Sequence, residues 1–148
     1  AKGGVIQINF GSSFLTEAAN RNAIEGFKAI TAFQKEKGVD AESEESKAFE
    51  AEWKKAHPLP RATLDDVVAH IDHVVELVGV DHVGLGSDFD GVGDSLPEGL
   101  KDVSTYPNLF ARLLARGYTD SDIEKIAGGN LMRVWREAER VARVLQGG

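Results

Sequence analysis

The stretch GLGSDFDGVGD, residues 84–94, places three aspartates and four glycines in eleven positions. So much acid beside so much backbone freedom admits three chemistries: a metal loop, a phosphate cradle, or one catalytic carboxylate at a strand end. A calcium loop of the EF-hand kind needs oxygen ligands at positions one, three and five, glycine at six and a bidentate Glu at twelve. Counted from Asp88, position three is Asp90 and position six is Gly93, but position five is Val92 and position twelve is Gly99. The apolar fifth position and the missing glutamate argue against calcium. A dinucleotide cradle fails as well, because the G-x-G-x-x-G pattern begun at Gly84 and Gly86 reaches Phe89 where its third glycine belongs, and Asp88 would repel a phosphate. The third chemistry fits better. Active groups of α/β barrels sit on the C-terminal ends of strands and on the loops that follow, and Asp88 lies two residues beyond the apolar run at 80–86. Gly84 and Gly86 there allow close approach of backbone or ligand. An aspartate that merely fixes the turn after a strand has the same pattern, so both readings of Asp88 stand at this level. Asp90 and Asp94 are read as turn-fixing or solvent-facing.

The four histidines supply no metal spacing of comparable force. His70 and His73, in HIDH, stand at i and i+3 on one helix. They flank a valine-rich stripe with no third ligand nearby, so packing or surface placement is the reading preferred. His82 precedes the glycine-rich strand end and His57 sits in a proline turn. No G-x-S-x-G elbow is present.

The elements that must position Asp88 follow from periodicity. VIQINF, residues 5–10, is β-branched and bounded by glycines, and predicts a buried strand. Residues 16–57 predict a helical insert: a helix over 16–37 with Ala19, Ala23, Phe27, Ile30 and Phe33 at helical spacing, then a charged surface helix ended by Pro58 and Pro60. TLDD, residues 63–66, is a capping signature with Asp in place of Glu or Gln. It opens a helix over 64–78 whose Val67, Val68, Ile71, Val74, Val75 and Val78 line one face. A second strand is predicted over 80–86. C-terminal helices follow over 106–146, with Gly117 ending the first and Gly128-Gly129 interrupting the next. Two apolar strands joined by a helical crossover make a parallel βαβ unit. A parallel pair alone leaves both sheet edges open, which predicts a piece of a larger α/β sheet or barrel.

Bulk properties narrow the classes. The chain has 148 residues, a formal charge of −7 and no cysteine. Its acidity argues against nucleic-acid and anionic-membrane partners, and thiolate chemistry and disulfides are excluded. No apolar run is long enough to cross a bilayer. The start, AKGGVIQINF, has no initiator Met and no leader pattern and enters an apolar stretch at once, as the later part of a longer chain would.

Three segments together carry a family resemblance: GGVIQINFGSSFL, LDDVVAHIDHVVELVGVDHVGLGSDFDG, and LPEGLKDVSTYPNLFARLLARGYTDSDIEKIAGGNLMRVWRE. They resemble the C-terminal portion of the membrane (renal) dipeptidase family of zinc peptidases, over nearly the whole chain. The resemblance implies the last two strands and helices of a (β/α)8-type barrel, incomplete as a stand-alone chain. It implies hydrolysis of dipeptides, and in some members of dehydropeptides or a β-lactam ring, by a hydroxide held on two zinc ions. Asp88 matches the family's active-site aspartate, which contacts the substrate amino group and shuttles a proton to the leaving amine. Phe14 falls near a position on the loop after the preceding strand, where some members have Tyr, and would contribute an apolar wall. The family's metal ligands, an early His-x-Asp pair, a bridging Glu and two later His, belong to strands that precede these, and His57, His70, His73 and His82 do not match their contexts. Arg21 and Arg61 likewise do not match the basic residue that receives the substrate carboxylate. The chain is therefore expected to supply Asp88 and one pocket wall and to be inactive alone. It would need the missing N-terminal barrel segment as partner; the other reading is a non-catalytic remnant that binds or self-associates.

Overall fold

The computed structural model describes residues 3–147. Strand β1 (Ile6–Asn9) and strand β2 (Val83–Ser87) form a parallel pair, the one sheet among the described residues. Between them run α1 (Ser12–Leu15), α2 (Glu17–Lys37), α3 (Glu44–Ala56) and α4 (Leu64–Val78); after β2 come α5 (Tyr106–Ala115), α6 (Asp120–Glu124) and α7 (Asn130–Leu145). The chain is thus mixed α/β, with the crossover between its strands wholly helical.

The pairing of β1 with β2 is irregular at a decisive place. Ile8 pairs with Leu85 but Asn9 pairs with Ser87, so Gly86 is an extra residue bulged out of the ladder. A side chain could not stand there easily, since a Cβ on Gly86 would come within 3.1 Å of the Ile8 carbonyl oxygen. The second strand starts later than periodicity predicts. Gly79, at φ 91°, turns the chain into a short 3₁₀ turn at Val80–His82, and pairing begins only at Val83. The first strand is also less buried than its composition suggests, with Ile6 half-exposed at the start.

One face of the sheet carries Ile8 and Val83 into the core, where they and Phe10 meet Val67, Val68, Ile71 and Val74 of α4, Leu109 and Leu113 of α5, and Ile126. Thr63 and Asp66 close a reciprocal capping box at the start of α4, which fixes the helix where its valine stripe meets the strands. A bidentate pair between Arg112 and Asp65, at 2.5 and 2.6 Å, joins α5 to α4 on the surface.

The helical insert behaves differently from its pattern. Phe33 stacks on Phe49 at 4.2 Å, Gly26 lies beneath Trp53, and Gln34 donates to Ser46 at 2.8 Å, so α2 and α3 pack on each other as a hairpin. Phe27, expected on the buried face of α2, is 73% exposed. The contacts of α2 with α3 run through Gly26, Phe33 and Gln34, and Phe27 lies outside that seam. At the other end of the chain, Gly128-Gly129 interrupt the regular helix as their pattern predicts, Gly128 leaving helical backbone at φ 175° and ψ −19°. They sit in one wide π turn, Lys125–Gly129, that carries α6 into α7.

Truncation in the two layers should separate them. Ile71→Ala, fully buried in the central cluster, is expected to cost about 2–5 kcal/mol in urea unfolding, whereas Phe27→Ala should stay within about 0.5 kcal/mol of the parent. Equal losses would contradict this division of the core.

Candidate functional site at the strand ends

Both strands end at the same edge of the sheet because they are parallel, and Asp88 and Phe14 follow those ends within a few residues. Ser87 and Asp88 both take left-handed backbone, at φ 45° and 67°. Two consecutive non-glycine residues in that region are costly and turn up at sites where function uses the conformation. What holds them is visible on both sides. The Ser87 carbonyl accepts from Phe10 N–H at 3.0 Å, and its hydroxyl bonds the Tyr106 hydroxyl at 2.8 Å. Phe89 then turns inward, edge-on to Phe10 at 5.7 Å and tilted on Tyr106 at 5.6 Å. With Ser87 and Phe89 anchored, the half-buried Asp88 side chain is met at the strand end by Asn9.

The Asp88 carboxylate accepts from Asn9 Nδ2 at 2.8 Å, and Asn9 Oδ1 accepts from Gly11 N–H at 2.8 Å. The carboxylate also packs flat on Gly91, where a Cβ would lie 2.1 Å from Asp88 Oδ1. Gly91 N–H closes the turn on the Asp88 carbonyl at 3.1 Å. The second glycine of the site, Gly11, has Phe14 on one flank and Val92 on the other, with Cβ clearances of 2.9 and 3.0 Å. Phe14 is 62% exposed, so it presents an apolar ring at the edge from which Asp88 presents its charge.

The loop after Asp88 is pinned at its far end by Ser12. Its buried hydroxyl donates to Ser95 O at 2.5 Å and accepts from Ala62 N–H at 3.0 Å, tying three segments together. Asp94 is exposed and pairs with Arg61, with Lys101 farther off at 3.7 Å. The Arg61 guanidinium holds the Asp94 carboxyl below the usual carboxylate range, first by its hydrogen bond and then by its charge. Asp90 is exposed.

The histidines are dispersed. His70 Nε2 bonds Leu15 O at 3.0 Å, His82 Nδ1 bonds Gly4 O at 2.8 Å, His57 stacks on Trp53 and bonds its carbonyl, and His73 is exposed. Arg21 pairs with Glu17 within its own helix. Among the described residues no three His, Cys, Asp or Glu converge as a metal site. Asn9 and Gly91 are the members of the site that sequence reasoning missed. The available signal was an Asn closing a strand two residues before a glycine, the pattern of a side chain that turns the following backbone.

No described helix is long and apolar enough to cross a membrane. The family model for membrane dipeptidase (peptidase family M19) matches residues 1–147. Dipeptidase tcpJ of Claviceps purpurea is 49% identical over 87 residues, which is 59% of this chain and 20% of that protein. Among solved structures, the probable dipeptidase PvdM from Pseudomonas aeruginosa superposes with a TM-score of 0.62 at 29% identity, over 90% of this chain and 36% of that one. A metallo peptidase from Rhodobacter sphaeroides, liganded with a phosphinate mimic of the dipeptide L-Ala-D-Ala, gives 0.54 at 26% identity, over 86% of this chain and 25% of that one. The chain thus spans between about a fifth and about a third of the length of these relatives.

The Arg61 contact gives a pH test. Because the folded Asp94 carboxyl ionises more readily than its ordinary value of 3.8, its stabilisation is present above that value and is lost as the pH falls below it. Melting curves from about pH 6 to about pH 2 should show Asp94→Asn less stable than the parent at the upper end, with the gap closing at the lower. A gap independent of pH would refute the pairing.

Proposed function

The chain belongs to the membrane dipeptidase family, peptidase family M19, and we propose that it is the C-terminal part of a zinc-dependent dipeptidase, contributing the last two strands of a (β/α)8-type barrel. The observation that carries the reading is the presentation of Asp88 beyond β2 in strained left-handed backbone, clasped by Asn9. Neither outer edge of the strand pair has a strand partner among the described residues, which suits a sheet continued by other residues.

In this reading Asp88 receives the free ammonium of a dipeptide. A carboxylate facing that group supplies a hydrogen-bonded charge partner, and the same oxygens can carry a proton to the amine that leaves as the peptide bond breaks. Phe14 and Val92, on either side of Gly11, line the apolar side of the pocket. Bound zinc would supply the activated hydroxide. The residues of this chain do not fit that role, because among the described residues no three His, Cys, Asp or Glu converge, and His57, His70 and His82 bond backbone carbonyls. The zinc ligands are therefore assigned to residues outside this chain, and the part given to Asp88 is confined to the substrate.

A second reading, a non-catalytic module that self-associates, draws on α7, whose Trp135, Val141 and Leu145 are 59%, 40% and 80% exposed. The missing barrel segment would cover the same apolar stripe, so the two readings differ in what the stripe meets.

Two measurements test the first reading. In the full-length protein carrying this segment, Asp88→Asn should lower kcat/KM for unblocked dipeptides by about a hundredfold or more. It should also erase the parent's preference for unblocked over N-acetylated dipeptides. A parent that hydrolyses neither, or a variant that keeps both rate and preference, would refute the assignment. The isolated chain should retain no stoichiometric zinc after dialysis against trace zinc; about two ions per chain, as in two-metal hydrolases, would mean that its own residues bind metal.

A further inference from the structure

Asn9 is half-buried and its carboxamide has one orientation open to it. The backbone N–H of Gly11 requires an acceptor, so Oδ1 faces Gly11, and Nδ2 is left to face the Asp88 carboxylate, which only accepts. The two contacts have different consequences. The bond from Gly11 ends β1 and sets the turn into α1, a local role. The bond to Asp88 spans 79 positions of sequence and joins the two strand ends. It is made possible by the bulge at Gly86, which brings Ser87 opposite Asn9 and sends Asp88 past the end of the ladder. Gly91 makes room for the carboxylate on the loop side, since a Cβ there would lie 2.1 Å from Asp88 Oδ1.

From this geometry we infer that Asn9 is a positioning residue for Asp88: it occupies one lobe of the carboxylate, fixes its plane, and leaves the remaining lone pairs aimed at the substrate amine. A carboxylate held by one donor on rigid strand ends stays within the narrow range of positions a proton transfer tolerates. The inference rests on the reading of Asp88 as the substrate-facing group. It adds a residue outside the metal ligands and the pocket walls.

Asn9→Asp separates the two roles. It is isosteric, keeps the oxygen that accepts from Gly11 N–H, and replaces the donor to Asp88 with a second carboxylate. Two measurements are made on the full-length protein carrying this segment. The first does not depend on turnover: in ¹⁵N spectra the side-chain amide signals of Asn9 should move on Asp88→Asn, and the Gly11 amide should keep its protection from hydrogen exchange in Asn9→Asp. Asn9 signals indifferent to Asp88→Asn would overturn the inference. The second is kinetic. Asn9→Asp should lower kcat by about 10–100-fold near neutral pH, with KM for an unblocked dipeptide changed by less than about threefold.

The pH dependence is the readout that a purely structural role would not move. Two carboxylates sharing a site hold a proton to higher pH than either would alone. Where the pair takes up that proton as the pH falls, a donor is restored between them, so the ratio of variant to parent kcat should rise. A flat ratio, or a variant as fast as the parent, would overturn the positioning role. If the parent turns over no dipeptide while the spectra behave as expected, the dipeptidase reading falls and the clasp of Asp88 by Asn9 stands.

Discussion

The rest of the structure depends on the two-strand parallel ladder and its single irregularity. Parallel pairing puts the ends of β1 and β2 at one edge, and the bulge at Gly86 shifts the last rung so that Asn9 stands opposite Ser87. Without that shift the left-handed pair Ser87 and Asp88 would have no partner across the ladder to hold it. The backbone strain is offset by contacts of different kinds: a ladder hydrogen bond from Phe10, a hydroxyl contact to Tyr106, an aromatic anchor at Phe89 and the amide of Asn9. Each alone is modest, and together they define one conformation for the carboxylate.

The helical layer serves this edge from below. The valine stripe of α4 and the leucines of α5 pack on one face of the strands, and Ser12 connects the turn after β1 to the segment before α4 and to the loop after β2. Because the Ser12 hydroxyl both donates and accepts, its two bonds belong to one buried atom and the three segments move together. The α2–α3 hairpin stands apart from this arrangement, with a small interface of its own, and no residue of either helix enters the site.

Much of the fold is legible in the sequence because it rests on local rules. The capping box at Thr63, the stripe of α4 and the glycine at position 79 each act within a few residues. What the sequence does not disclose is long-range or geometric. Val80, Asp81 and His82 read as the start of a strand because they open a short apolar run, but Gly79 turns them into a 3₁₀ turn and delays pairing. Phe27 reads as buried, since periodicity reports which residues share a face and says nothing about which of them the partner meets. At the site, the glycine-rich motif singled out Asp88, while the role of Asn9 depends on a contact across 79 residues that no spacing within one segment encodes.

The π turn at Lys125–Gly129 has a consequence for how this segment tolerates change in length. It is wound with one residue more than an α-helical turn, the Asn130 amide reaching back to the Lys125 carbonyl. That surplus sets the rotation at which α7 leaves, so that the Asn130 side chain points down onto Val80 O and Val83 O, at 2.7 and 2.9 Å, at the foot of β2. Deleting a single residue there would turn everything downstream by about a hundred degrees. Asn130 and Arg133 would leave the strand's start, and the apolar stripe of α7 would face another way. A relative that lacks this surplus residue would have to meet its neighbours with a different set of side chains, and an alignment that closes the gap elsewhere would pair residues with unlike surroundings.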